Sequence, residues 1–254
     1  MKYIPLSLKD AEYVEEVLER PEIKQAIRDD NLDLVFRRIE YPSILNRYLV
    51  TRCDIQSLNH VHEIAPELFM YYPYKLGIVD LSEMLYVANG GFYGSELLKL
   101  VIRKDNSLHS LGEAAFSYCV IDTLDVYLGN SCKYDKDLFA ETEVSEDSRI
   151  VVDMYDVPES LLNGFKGKLT TVELTNNVYS VHDGALRDAE IGVIKIDNPG
   201  IKLHQNAVVG SRVTTLDYNG TKEQLRNNIT IQKLIYHCYN VLCTDGSYKK
   251  VILC

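Results

Sequence analysis

Short runs in which apolar and polar residues alternate recur along the chain, and polar corners separate them. The clearest unit spans residues 169–186. Val172 and Leu174 alternate with polar residues in a first run, and Val178 and Val181 point inward from a second. Alternation of this kind is typical of β-strands that bury one face. The pattern predicts two short strands per unit, joined by turns.

Each unit ends on a large apolar residue, and in most units Gly or Ala comes just before it. These proposed anchors are 21 to 26 residues apart, at Phe69, Phe92, Phe116, Phe139, Phe165, Leu186 and Val208. A unit of about 22 residues cannot bury its apolar side alone, so stacked units must share one core. The period predicts a right-handed solenoid of about seven units, in which every unit adds a strand to a parallel sheet.

The N-terminal residues 1–47 have a helical pattern instead. Val14 and Leu18 are spaced as on one face of a helix, and Pro21 suits the first turn of a second helix. Apolar residues within 32–39 indicate a third. Because the open end of a solenoid invites aggregation, these helices are predicted to form an N-terminal helical cap. An independent docking module is the alternative.

The units at 108–119 and 169–186 resemble leucine-rich repeats of the BspA type. Units of that family have a strand, a polar corner, a second strand, and then Ala-Phe followed by a small residue or Cys. The stretches 213–225 and 241–247 are similar to the family's terminal unit, which has an Asn-Gly-Thr turn, a short helix and a strand ending in Cys-x-Asp-Gly. The resemblance covers about residues 50–250.

This resemblance implies a mostly β fold, with a leucine-rich-repeat solenoid over residues 48–212 and a C-terminal capping unit over 213–254. Members of the family serve mainly as adhesion and protein-binding surfaces. We therefore expect a non-enzymatic protein-binding scaffold. Two alternatives stay open, which are a structural component of a larger assembly such as a bacteriophage virion, and a surface adhesin exported by a non-classical route.

The amino-acid composition limits which classes of partner we expect the protein to bind. The net charge is −10 and the pI is about 5.1, which argues against nucleic-acid binding because phosphate contacts need clustered Lys and Arg. No stretch approaches the roughly 20 apolar residues of a membrane span. The first seven residues have no long apolar run and so do not resemble a secretory signal. We expect a cytoplasmic or virion location rather than classical secretion.

Common motifs for catalysis and metal binding are missing from the sequence. The sequence has no Gly-Lys-Ser/Thr phosphate loop, no Gly-x-Ser-x-Gly elbow and no His-Glu-x-x-His motif. His60 and His62 are interpreted as a surface pair, and the spacing of Cys238 and Cys243 matches no zinc pattern. The six cysteines are irregularly spaced and are predicted to be reduced thiols. We expect no enzyme activity, no cofactor and no metal.

An acidic segment lies in the middle of the chain. Residues 135–159 carry nine acidic side chains against only Lys136 and Arg149. The segment includes 141–148, the least apolar stretch of the sequence. This composition predicts an extended loop inserted between repeats.

Aligning the first strand of each unit gives a solvent-facing column of largely charged residues, which are Asp80, Val101, Asp125, Asp153, Glu173, Lys195 and Asp217. Neighbouring rungs of a sheet are about 4.8 Å apart. Three successive carboxylates, Asp125, Asp153 and Glu173, would then repel one another. We take the six charged members as candidate ligand-binding residues for a basic protein partner or a cation. The alternative is that solvent, salt and Lys195 screen an ordinary surface.

Overall fold

The computed structural model describes residues 8–28, 63–72 and 75–247. Two helices come first, α1 (Leu8–Glu19) and α2 (Pro21–Arg28). From residue 63 onward the chain forms a β-solenoid of about eight turns, built mostly from parallel strands. The third helix predicted within 32–39 and the His60–His62 pair lie outside the described residues.

The two helices pack against each other through a small apolar core of their own. Val14, Val17, Ile23 and Ala26 are buried, and this cluster is separate from the solenoid core. Pro21 is the first residue of α2, where its missing N–H has no partner to lose. Both predicted helices are therefore confirmed, whereas their role as a cap stays a prediction.

The main sheet receives one parallel rung from each coil. Numbered along the chain, its strands are β2 (Leu76–Asp80), β4 (Glu96–Ile102), β6 (Val120–Gly129), β8 (Glu143–Val144) with β9 (Ser148–Asp153), β11 (Lys166–Leu174), β13 (Glu190–Ile196), β15 (Arg212–Tyr218) and β16 (Cys238–Cys243). A final strand, β17 (Gly246–Ser247), pairs antiparallel with β16. Since chain neighbours are also sheet neighbours, side chains at equal depth form columns across the coils.

A second side of the solenoid carries strands of only two residues, in which the second residue is generally buried. They form one ladder of β1 (Glu63–Ile64), β3 (Tyr86–Val87), β5 (Ser110–Leu111) and β7 (Lys133–Tyr134), and another of β10 (Asp156–Val157), β12 (Ser180–Val181) and β14 (Lys202–Leu203). The prediction of two short strands per unit is thus confirmed.

Turns form the third side of each coil, and these turns are also bonded to their neighbours. Two residues four positions apart adopt left-handed conformations, as at Gly90 and Gly94, where glycine meets no steric penalty. Between them, the amide of Phe92 donates to the carbonyl of Ala115 in the next coil at 2.9 Å. Backbone hydrogen bonds therefore join successive coils on all three sides.

Aromatic anchors fill the interior in a stacked row. Phe69, Phe92, Phe116 and Phe139 are at most 1% exposed. Their ring centroids are 5.1, 5.2 and 5.5 Å apart in succession, with interplanar angles of 5°, 7° and 15°. These four anchors are confirmed as residues that align along one continuous core.

The anchor of the fifth coil is Leu162, and its assignment to Phe165 was wrong. The amide of Leu162 donates to the carbonyl of Ala185 at 2.8 Å, the same inter-coil bond that the other anchors make. Phe165 is buried three positions later, in the row that contains Cys119. The sequence predicted Phe165 because a glycine, Gly164, comes just before it. Gly164 instead occupies the second left-handed position of the turn and does not precede the anchor.

The acidic segment 135–159 is a regular coil, so the predicted inserted loop was wrong. It contains β8, β9 and β10. Phe139, Ile150 and Val152 are buried, whereas the acidic side chains of 146–147 face solvent. Apolar and acidic residues alternate here, and the high net charge of the segment concealed that alternation.

The described cysteines form no disulfide with one another. Burial raises the pKa of Cys119 to about 12 and that of Cys132 to about 11. These two thiols stay protonated at neutral pH and pack as small apolar side chains. Cys53 and Cys254 lie outside the described residues.

The C-terminal unit closes the core with two short helices, α3 (Lys222–Asn227) and α4 (Ile229–Ile235). Thr221 caps α3 through a capping box with Gln224. Leu225, Ile231 and Leu234 are buried in the solenoid core. The turn, helix and strand expected for this tail are therefore confirmed. Within the described part of the chain, no helix is long and apolar enough to cross a membrane.

Candidate functional site

On the outward face of the main sheet, the predicted charged column is divided into two columns, and Asp153 lies in neither of them. Asp80, Val101 and Asp125 share one register. Farther along the solenoid, Glu173, Lys195 and Asp217 share another, which is displaced by two residues. The column of Asp80 and Asp125 continues at the later coils through Arg149, Thr171, Val193 and Thr215.

The predicted run Asp125–Asp153–Glu173 is therefore wrong. Asp125 lies opposite Arg149, and Asp153 lies opposite Gly129. An extra residue between β8 and β9 contributes to the displacement, since Val144 lies opposite Ile121 whereas Arg149 lies opposite Asp125. A bulge changes which residues face each other while leaving the apolar alternation outside it intact, so the sequence pattern could not reveal it.

Arg149 removes the expected repulsion between carboxylates. Its guanidinium lies 2.8 Å from a carboxylate oxygen of Glu173, and its backbone is in register with both Asp125 and Thr171. The arginine side chain is 57% exposed, whereas that of Glu173 is 16% exposed. The Glu173 carboxylate is thus held at the sheet surface by an arginine whose own side chain lies mostly in solvent.

Asp153 is the centre of a hydrogen-bond cluster. Its carboxylate accepts hydrogen bonds from the hydroxyls of Tyr127 and Thr175, and from the amide of Asn177 at 2.8 Å. Burial raises the pKa of Asp153, but the bonds from Thr175, Tyr127 and Asn177 outweigh it and leave the pKa below its usual value. Burial, with the bond to Asp153, raises the pKa of Tyr127 to about 12.

We expect Tyr127→Phe to raise the pKa of Asp153, because it deletes one of the donors that stabilise the carboxylate. A depressed pKa contributes stability above the ordinary value of about 3.9, and this stability is lost as the pH falls through the folded-state pKa. The variant should therefore unfold at higher pH during acid titration. Carboxyl ¹³C NMR of Asp153 measures the shift. Tyr179→Phe, on the second side of the solenoid, is the matched control, and an identical Asp153 titration in all three proteins would refute the contact.

Asp80 is held apart from the other predicted site residues. Its carboxylate lies 2.9 Å from the guanidinium of Arg103 and accepts hydrogen bonds from the backbone and hydroxyl of Ser82. Burial raises the pKa of Asp80, but these partners outweigh it and lower the pKa overall. This engagement makes Asp80 part of the turn after β2 and not part of the groove described next.

A groove of about 630 Å³ runs over the ends of the strands from β4 to β13. Asp125, Asp153 and Glu173 line it, so the structure brings these three predicted residues together. A hollow of about 300 Å³, lined by Lys195 and Asp217, adjoins it through the shared residue Asp197. We call these two spaces the sheet-face groove. A third hollow of about 380 Å³ lies beside it and contains Lys99 and Asp147, one charge of each sign.

The comparison of repeat units within the sequence missed several residues that line the groove. Lys104 lies with its ammonium 5.5 Å from the centre of the Tyr127 ring, and Asn177 and Asp197 lie at the ends of strands. Their signal was present, because polar corners after strands are where binding residues concentrate. Arg149 was missed for a different reason, namely the register error.

No family model matches the chain, and neither a curated protein nor a solved structure gives a match. Within the described residues, no group of three or more His, Cys, Asp or Glu side chains is arranged to hold a metal ion. Evidence for the function of the protein therefore comes from the geometry of the sheet face.

Proposed function

We propose that this protein is a non-enzymatic scaffold that binds a protein partner on the outward face of its main sheet. The sheet-face groove is the observation that carries the proposal. Nine of the fourteen residues that line its 630 Å³ compartment are charged or carry an amide side chain. Small-molecule sites are instead mostly apolar and enclose their ligand. A groove lined by so many charged groups suits a segment of another protein.

The support for this groove is rigid. Its side chains project from parallel strands that are bonded to both neighbours, and the Asp153 cluster and the Arg149–Glu173 pair fix their orientation. Side chains that are already ordered lose little conformational entropy when a partner binds. The face thus offers fixed charges at fixed spacing, which favours selective recognition.

We also propose that the solenoid belongs with the BspA-type leucine-rich repeats and that α1 and α2 cap its N-terminal end. The first idea is supported by a repeat of 22 to 24 residues between anchors once Leu162 replaces Phe165, and by the capped tail that begins at Thr221. The second is supported by the position of the helices before the first coil in the sequence. Deletion of residues 1–28 should expose apolar surface and promote aggregation if they form a cap.

Site-specific photo-cross-linking tests the binding proposal. A photoreactive amino acid at Thr171, which is partly exposed on the sheet face, should yield a cross-linked protein in an extract of the native source. The same group at Glu159, an exposed position in a turn, is the matched control and should yield none. Equal products from both positions, products from Glu159 alone, or none from either would contradict the proposal.

A further inference from the structure

We infer that the partner of the sheet-face groove is an extended protein segment with two basic positions about six residues apart. The inference rests on the proposed function and adds the chemistry and geometry of the bound segment. It follows from which charges in the groove are already neutralised, and from the distance between those that are not.

Two of the four cations that line the sheet-face groove are already in ion pairs. Arg103 and Arg149 form ion pairs with Asp80 and Glu173 at 2.9 and 2.8 Å. Lys104 lies over the ring of Tyr127, an arrangement that stabilises its charge. The remaining cation, Lys195, lies in register between Glu173 and Asp217 on the neighbouring strands, and it forms no ion pair within 4.0 Å with a described residue. The two paired arginines therefore offer little to an anion of a partner.

Three groove carboxylates also have no ion-pair partner. Asp125, Asp197 and Asp217 form no ion pair within 4.0 Å with any other residue that the structure describes. Asp125 is exposed, and the other two are partly exposed. Five carboxylates and four cations line the groove, and one of those cations is paired with Asp80 outside it. The surplus negative charge is complementary to Lys or Arg on a partner, and the chain's net charge of −10 would speed the approach of a basic segment.

The spacing of these carboxylates sets the spacing of the basic positions. Four rungs separate β6, which carries Asp125, from β15, which carries Asp217. At about 4.8 Å per rung this is about 19 Å along the solenoid, and Asp217 is also displaced by two residues, or about 7 Å, along its strand. The direct separation is therefore about 20 Å. An extended peptide covers this in about six residues at about 3.3 Å each.

Synthetic peptides test the inference directly. The spaced peptide is Arg-Arg-Ser-Ser-Ser-Ser-Arg-Arg, in which equivalent arginines are six residues apart, and its isomer carries all four arginines together. Fluorescence anisotropy at low salt should show at least threefold tighter binding of the spaced peptide. Asp125→Asn combined with Asp217→Asn should weaken that binding at least fivefold. Glu159→Gln, which removes the same kind of charge from a turn, should leave it unchanged.

The outcomes separate the inference from the proposed function. Equal binding of the two isomers overturns the spacing, and equal weakening by Glu159→Gln shows attraction to the net charge alone and overturns the site. Tighter binding of a spaced glutamate peptide overturns the inference that the bound segment is positively charged. If cross-linking from Thr171 captures a protein while the spaced peptide does not bind, the inference fails and the proposed function stands. Matching thermal unfolding of all variants establishes that each is folded.

Discussion

Phe116→Ala should destabilise the protein by about 3–5 kcal/mol, the usual cost of truncating a buried aromatic side chain. Phe116 has no exposed surface and stacks between Phe92 and Phe139. Its removal therefore leaves a cavity that the two adjacent rings border and that the bonded coils cannot close. Urea denaturation followed by circular dichroism measures the loss as a lower midpoint.

The matched control removes an aromatic side chain from the surface. Tyr239 is 77% exposed on the last parallel strand, and Tyr239→Ala should change the free energy of unfolding by about 1 kcal/mol at most. If Phe116→Ala unfolds at the same urea concentration as the wild type, the row of stacked anchors does not hold the coils together.

Gly112→Ala should cost about 3 kcal/mol, at the upper end of the range for overpacked sites. A Cβ atom at this position would lie 2.6 Å from the backbone nitrogen of Asn89 and 2.7 Å from the carbonyl carbon of Ala88. Both atoms belong to the backbone of the preceding coil, and Gly112 also donates its amide to the carbonyl of Val87 there at 2.7 Å. The coils would have to separate, and that inter-coil bond would weaken.

Gly77→Ala provides the control for the same chemical change. No heavy atom lies within 4 Å of a Cβ built at Gly77 in β2, so this variant should be neutral or slightly more stable, since alanine restricts the unfolded chain. Thermal unfolding of the two variants side by side gives the comparison. Similar melting temperatures would show that successive coils are not in close backbone contact at Gly112.

The two residues with the largest expected effects, Phe116 and Gly112, differ in how far the sequence alone reveals their roles. Phe116 was identifiable from its place in a repeat, because large apolar residues recurring every 21 to 26 positions must meet in a shared interior. Gly112 follows a buried strand residue in the same unit, yet the sequence contains no sign that the backbone of Asn89 lies against it. Periodicity reports what is buried, whereas close backbone approach depends on how adjacent coils are aligned.

The charged residues of the candidate site also differ in whether the sequence alone could place them. Glu173, Lys195 and Asp217 were correctly placed in one column because β11, β13 and β15 stay in register from Thr171 onward. Asp153 was misplaced, and Arg149 was overlooked as the neighbour of Asp125. Those errors arise where strands differ in length, since an alignment by apolar pattern cannot tell which of two outward positions faces the next coil.

The sequence by itself determined the elongated architecture, the helices at 8–19 and 21–28, the row of aromatic anchors and the capped tail. The first three depend on local spacing or on a repeated apolar interval, which are properties of the chain in order, whereas the capped tail was implied by the resemblance to the BspA-type terminal unit. Only the tertiary structure decided the register between coils, the hydrogen bonds around Asp153 and the ion pair of Arg149 with Glu173. These contacts join residues 22 to 26 positions apart, and a bulge of a few residues is enough to exchange one partner for another.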